Sequence, residues 1–147
     1  MVRRLAAYVS AVLITAVLGS IAHSLFIQQA WLHASGADAQ IPTGDRISWI
    51  THDLIGLEPL YGGLIAAALL VAFLVSGLVA RFTGLRPIVF GVAGAVAMFT
   101  MFTIMRVELG TVGVFGARGP MGLAAQMAVG LVAGLVFAII TAPQADH

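Results

Sequence analysis

The sequence predicts an all-α membrane protein: an antiparallel bundle of four transmembrane helices, with an external amphipathic interfacial helix between the first two. Three observations carry this. Four apolar stretches, 5–27, 60–80, 87–107 and 120–141, each have about the 20 residues a helix needs to cross about 30 Å of hydrocarbon. Of the 147 residues, 61% are hydrophobic and only 9% charged, against about 25% charged in a soluble domain. Mean hydropathy is +1.06, so lipid rather than water must cover most of the surface. Four spans and their loops use the whole length, which leaves room for one domain, 1–147.

The first stretch follows Arg3 and Arg4. Met1–Ala22 also has the features of a cleaved signal peptide: a basic start, an apolar core, and Ser20-Ile21-Ala22 as a small-x-small site. The apolar run continues through Leu25, Phe26 and Ile27, which favours a retained first span. Beyond it lies the long segment 33–58. Ala34–Gly44 has loop composition, but from Asp45 the residues Ile47, Ile50, Leu54 and Leu57 recur at helical spacing, with Trp49 beside them. This predicts a helix over about 45–57, lying along the headgroups with Trp49 as anchor and Asp45 as its cap. Glu58-Pro59 would then turn the chain into the second span. Such a helix serves either as a lid over the bundle or as a plain surface connector.

Arg81-Phe-Thr-Gly-Leu-Arg-Pro87 reads as a tight turn between antiparallel helices. Gly84 suits a left-handed C-cap, and Pro87 suits the first helical turn, where its missing N–H costs nothing. The third span ends near Gly110, and Gly113, Gly116 and Gly119 make the next link compact before Pro120 opens the fourth. Small residues four apart, such as Ala7/Ala11, Gly63/Ala67, Gly91/Ala95 and Gly130/Gly134, permit close helix packing without identifying an oligomer face.

Arginine sets the topology. Arg3, Arg4, Arg81 and Arg86 fall on one side and Asp38, Asp45, Asp53, Glu58 and Glu108 on the other, with Arg46 and Arg118. The positive-inside rule makes the first side cytoplasmic, placing both termini there in a multi-pass protein of a cell inner membrane.

The absence of cysteine excludes disulfides, thiolate metal sites and cysteine nucleophiles. The absence of lysine excludes a lysine Schiff base, and a net charge of +1 offers nucleic acid no electrostatic footprint. The HExxH, Walker, GxSxG and EF-hand patterns are missing, and no sequence signal names a cofactor. Met98, Met101 and Met105 share a helical face, but with His23 alone they do not make a metal site.

Polar groups in a bilayer are costly, so their positions are informative. His23 lies near the outer end of the first span, with Gln28 and Gln29 beyond it. Thr100, Thr103, Arg106 and Glu108 occupy the outer half of the third, and Gln126 the outer half of the fourth. Glu108 lies about 160° round the helix from Arg106, so each needs a partner elsewhere. Glu58, Asp53 or an anionic lipid phosphate would serve Arg106. The candidate binding residues are therefore His23, Arg106, Gln126, Glu108, Asp53 and Glu58. Set against this is a plain reading, in which Arg106 and Glu108 snorkel to the nearby headgroups.

Three functions fit. The first is a noncatalytic accessory or subunit protein, with a membrane protein or a second copy of itself as partner. The second binds or transports a lipid, quinone or small amphiphile in an outer-leaflet pocket near His23, Arg106 and Gln126. The third is a small intramembrane enzyme with His23 as acid/base and Arg106 or Glu108 stabilising charge.

Overall fold

Hydrocarbon offers backbone amides no partners, so a chain this apolar must satisfy them within each span, which an α-helix does. The computed structural model describes residues 2–36, 40–110, 117 and 119–142, and their side chains except at 53, 54, 56–60 and 109. Four α-helices make up nearly all of it: α1 (Val2–Ser35), α2 (Thr43–Thr83), α3 (Arg86–Leu109) and α4 (Pro120–Ile140). Each is long and apolar enough to cross a membrane, so the protein is a small multi-pass integral membrane protein. α1 packs on α2 and α4, and α3 on the same two, giving a four-membered ring of helices.

The turns follow the local chemistry of the sequence. Gly84 ends α2 in the left-handed conformation at φ 69°, and its N–H donates to the Ala80 carbonyl at 3.1 Å. Pro87 sits in the first turn of α3, and Gly110 closes that helix at φ 66°. Gly119 is the extended residue before Pro120, which opens α4.

Close packing concentrates on one helix pair. A Cβ on Gly94 would overlap the Gly130 carbonyl, and one on Gly134 would overlap the Phe90 carbonyl. The Gly130/Gly134 motif is thus used within the chain, bringing the backbones of α3 and α4 together. Its counterpart on α3 is Gly94, three residues from Gly91. Gly63 contributes nothing comparable, since a Cβ there would meet no atom within 4 Å.

α2 buries Tyr61, Ile65, Leu69 and Phe73 at four-residue spacing while Leu74, Val75 and Leu78 stay on its outside. In water such exposed side chains would be a liability; here they are the lipid-facing surface. α1 buries a different kind of face: Ala7, Ala11, Thr15, Gly19, Ser20, His23, Ser24 and Gln28, all small or polar.

The region between the first two spans differs from expectation. The helix over 45–57 is present, but Glu58-Pro59 does not end it. It is the first part of α2, a single helix of 41 residues. The Tyr8 hydroxyl donates to the Ala66 carbonyl at 2.6 Å, and Gln28 Nε2 to the Arg46 carbonyl at 3.4 Å. The second contact lies twenty residues further along α1 and twenty residues earlier along α2, so the two helices run in step past position 59. Trp31 and Trp49 meet edge-on at 6.3 Å beside the second contact. Pairing with α1 thus holds this segment upright. Proline removes one backbone bond, which a packed membrane helix tolerates. At 1.5 Å per residue α1 and α2 run about 51 and about 62 Å, against about 36 and about 32 Å for α3 and α4, so the first hairpin outreaches the second. Asp45 lies in the first turn of α2, where its charge suits the helix dipole, but the N-cap is Pro42.

Candidate functional site

A polar side chain inside a membrane bundle must find its partners among neighbouring helices. Gln126 does this fully. Its Nε2 donates to the Gly19 carbonyl of α1 at 2.9 Å, and its Oε1 accepts from the Tyr61 hydroxyl of α2 at 2.9 Å. One amide on α4 therefore ties three helices together. The fit depends on Gly19, since a Cβ there would lie 2.9 Å from the Tyr61 hydroxyl and 3.0 Å from Gln126 Oε1. His23 lies one turn further along the same face of α1 and is buried. Ser24 lies next to His23, and Gln28 follows one turn further on, its Nε2 also donating to Ser24 Oγ at 3.3 Å. Gln28 Oε1 is buried and has no hydrogen-bond partner among the described residues.

The structure thus brings His23 and Gln126 into the interior at the end of the bundle away from Arg81 and Arg86. Arg106 and Glu108 lie on the exposed surface near the end of α3. Thr100 and Thr103 face outward as well, and Thr103 Oγ1 donates back to the Phe99 carbonyl at 2.8 Å. The side chains of Asp53 and Glu58 lie outside the described residues, as do Asp38 and Arg118. Tyr61 escaped sequence reasoning because a tyrosine at the start of a span reads as an interfacial anchor.

A cleft of about 680 Å³ opens at the opposite end, where all four helices contribute walls. Its floor is aromatic. Phe73 and Phe137 stack at 4.5 Å, and Phe90 packs against them at 5.0 Å from Phe137 and 5.7 Å from Phe73. Leu5, Leu74 and Leu78 form walls that are themselves exposed, so the cleft is continuous with the lipid-facing surface. Gly77 on α2 widens it. Arg4, Arg81 and Arg86 also line it, bringing cations from three helices to its edge.

Arg86 is fixed in place. Its Nη2 donates to Thr141 Oγ1 at 2.9 Å and to the Thr141 carbonyl at 3.3 Å, joining the start of α3 to the end of α4. Its guanidinium carbon stands 5.4 Å from the centroid of the Phe90 ring, within cation–π range. In the sequence these arginines register only as topology signals. The available hint was chemical: cations from separate spans gathering at one end.

No protein-family model, no curated protein and no solved structure matches this chain. Fold and site together define its class: a small multi-pass membrane protein with a lipid-accessible cleft at the arginine end.

Proposed function

We propose that this protein is a noncatalytic accessory protein of the membrane that binds a lipid-like amphiphile in the cleft at the arginine end. The observation carrying this reading is the cleft itself, with an aromatic floor, walls open to the hydrocarbon and a cationic edge. Its volume lies within the range of about 300–1,000 Å³ typical of small-molecule sites. By the positive-inside rule the cleft faces the cytoplasmic leaflet of a cell inner membrane, with both termini cytoplasmic. That places the site in the leaflet opposite to the one His23 and Gln126 suggest.

Binding rather than catalysis suits the groups available. Arginine does not give up its proton at neutral pH. The Tyr8 hydroxyl, the phenol lining the cleft, donates to the Ala66 carbonyl, and the Thr141 hydroxyl to the Phe137 carbonyl. His23 and Gln126, at the other end, act in this reading as interhelical links.

Gly77→Leu tests the proposal. A Cβ at Gly77 meets nothing within 4 Å, so the larger side chain enters the cleft without disturbing the packing. Native mass spectrometry of the purified protein is expected to show co-purifying amphiphile on the wild type and its loss from the variant, with an unchanged melting temperature. Equal retention by both proteins would refute the site.

A further inference from the structure

The cationic edge of the cleft narrows the choice of ligand. Arg4 stands near the start of α1, Arg81 in the last turn of α2, and Arg86 is the first residue of α3. No carboxylate is among the described residues lining the cleft. Like charges gathered at the edge of an apolar site repel one another, and that repulsion is relieved by an anion.

Arg86 points the same way through its local chemistry. A cation at a helix N-terminus opposes the helix dipole, yet Thr141 and Phe90 hold this one there. Its Nε is buried with no hydrogen-bond partner among the described residues. The N-cap of α3, Leu85, makes no side-chain capping hydrogen bond. A phosphate oxygen suits this cationic edge, because it carries negative charge and accepts several hydrogen bonds from guanidinium groups.

We propose that the cleft takes an anionic phospholipid from the surrounding leaflet, its phosphate held by Arg4, Arg81 and Arg86 and an acyl chain lying along the Phe73, Phe90 and Phe137 rings. This rests on the cleft being the binding site and adds the identity of the head group. The source is the bilayer, because the walls open sideways to hydrocarbon: Leu5 is 65% exposed, Leu74 68% and Leu78 59%. The depth agrees. From Arg81 to Leu70 the wall follows about three turns of α2, about 16 Å, which is about half of a hydrocarbon core of about 30 Å.

The test compares wild-type protein, Gly77→Leu and the double variant Arg4→Gln/Arg81→Gln. Both of these arginines are exposed, so their replacement leaves the packing intact. Each protein is incubated in detergent with phosphatidylglycerol, phosphatidylcholine or diacylglycerol of identical chains, or with inorganic phosphate alone. Bound lipid is counted by native mass spectrometry and melting temperature is followed in parallel. The wild type is expected to prefer phosphatidylglycerol over diacylglycerol by about tenfold, the effect of about 1.4 kcal/mol of charge-assisted bonding to the phosphate, and over phosphatidylcholine by less, because the choline cation offsets the phosphate charge. The double variant is expected to lose that preference while keeping its weaker hold on diacylglycerol, and inorganic phosphate alone is expected to leave the melting temperature unchanged.

Equal retention of all three lipids by the wild type, with loss from Gly77→Leu, would overturn the phosphate assignment and leave the cleft standing. Retention by Gly77→Leu equal to wild type would overturn the cleft itself. Stabilisation by inorganic phosphate without lipid would overturn the bilayer as source. Should the double variant fail to purify, Arg81→Gln alone carries the comparison, with a preference reduced about threefold expected and an undiminished preference overturning the assignment.

Discussion

Gln126 offers the sharpest test of what holds the bundle together. Replacing it with Leu keeps a side chain of similar length and removes two interhelical hydrogen bonds, one to the Gly19 carbonyl and one from the Tyr61 hydroxyl, each at 2.9 Å. Interhelical hydrogen bonds in membrane proteins contribute about 0.6 kcal/mol on average and about 1.7 at most. Gln126→Leu is therefore expected to cost about 1–3 kcal/mol. Tyr61→Phe removes one of the two bonds and keeps the ring against Phe102, 6.1 Å away, so it is expected to cost about 0.6–1.7 kcal/mol. Because the two substitutions share a bond, they cannot be additive. In the Gln126→Leu background Tyr61→Phe should cost almost nothing, giving a coupling of about 0.5–1.5 kcal/mol. Reversible unfolding in mixed detergent micelles, with all four members of the cycle measured, reads this directly. A Tyr61→Phe effect equally large in both backgrounds would refute the link between α2 and α4.

Three further outcomes follow from the same structure. Gly94→Ala and Gly134→Ala each force α3 away from α4 and are expected to destabilise by about 1–3 kcal/mol in the same unfolding assay, whereas Gly63→Ala, with open space around it, should be neutral or stabilising by up to about 1 kcal/mol. Gly84→Ala puts a side chain into a left-handed C-cap and should cost about 1–2 kcal/mol; no change would contradict the turn between α2 and α3. Arg86→Gln breaks the charged bridge to Thr141 and is expected to cost about 1.5–3 kcal/mol, with Thr141→Val reproducing part of the loss and adding little to Arg86→Gln in the double variant.

The spans and their turns were legible because the bilayer leaves the backbone few choices. Twenty apolar residues become a helix, and Gly84, Pro87, Gly110 and Pro120 work through their own φ preferences whatever surrounds them. Pro59 was misread because proline often ends a helix exposed to water, where the freed carbonyl finds solvent. Here the pairing of Gln28 with Arg46 on one side of it and of Tyr8 with Ala66 on the other holds both sides in one helix. Gly94 was missed for a related reason. Pairs four residues apart draw attention to Gly91/Ala95, but the approach to Gly130 is set by how α3 crosses α4, and the crossing is a property of both helices. The cleft was illegible because it exists only where four separate helix ends face one another.

The two ends of the bundle hold different kinds of polar group, and that contrast bears on function. At the end holding His23 and Gln126 the polar side chains are buried and turned inward, and Gln126 has both a donor and an acceptor bond across helices. Groups paired in this way have little left to offer a ligand; their energy goes into fixing α1, α2 and α4 relative to one another. At the other end, guanidinium groups from three helices line an apolar cleft beside the start of α3, and one guanidinium nitrogen is buried without a partner among the described residues. Like charges gathered in this way repel one another, and the proposed anionic ligand would relieve that repulsion. Scarce polar groups in this membrane sequence therefore take separate readings: the paired amide of Gln126 fixes helices, whereas the arginines at the cleft are the groups that the proposed ligand would engage.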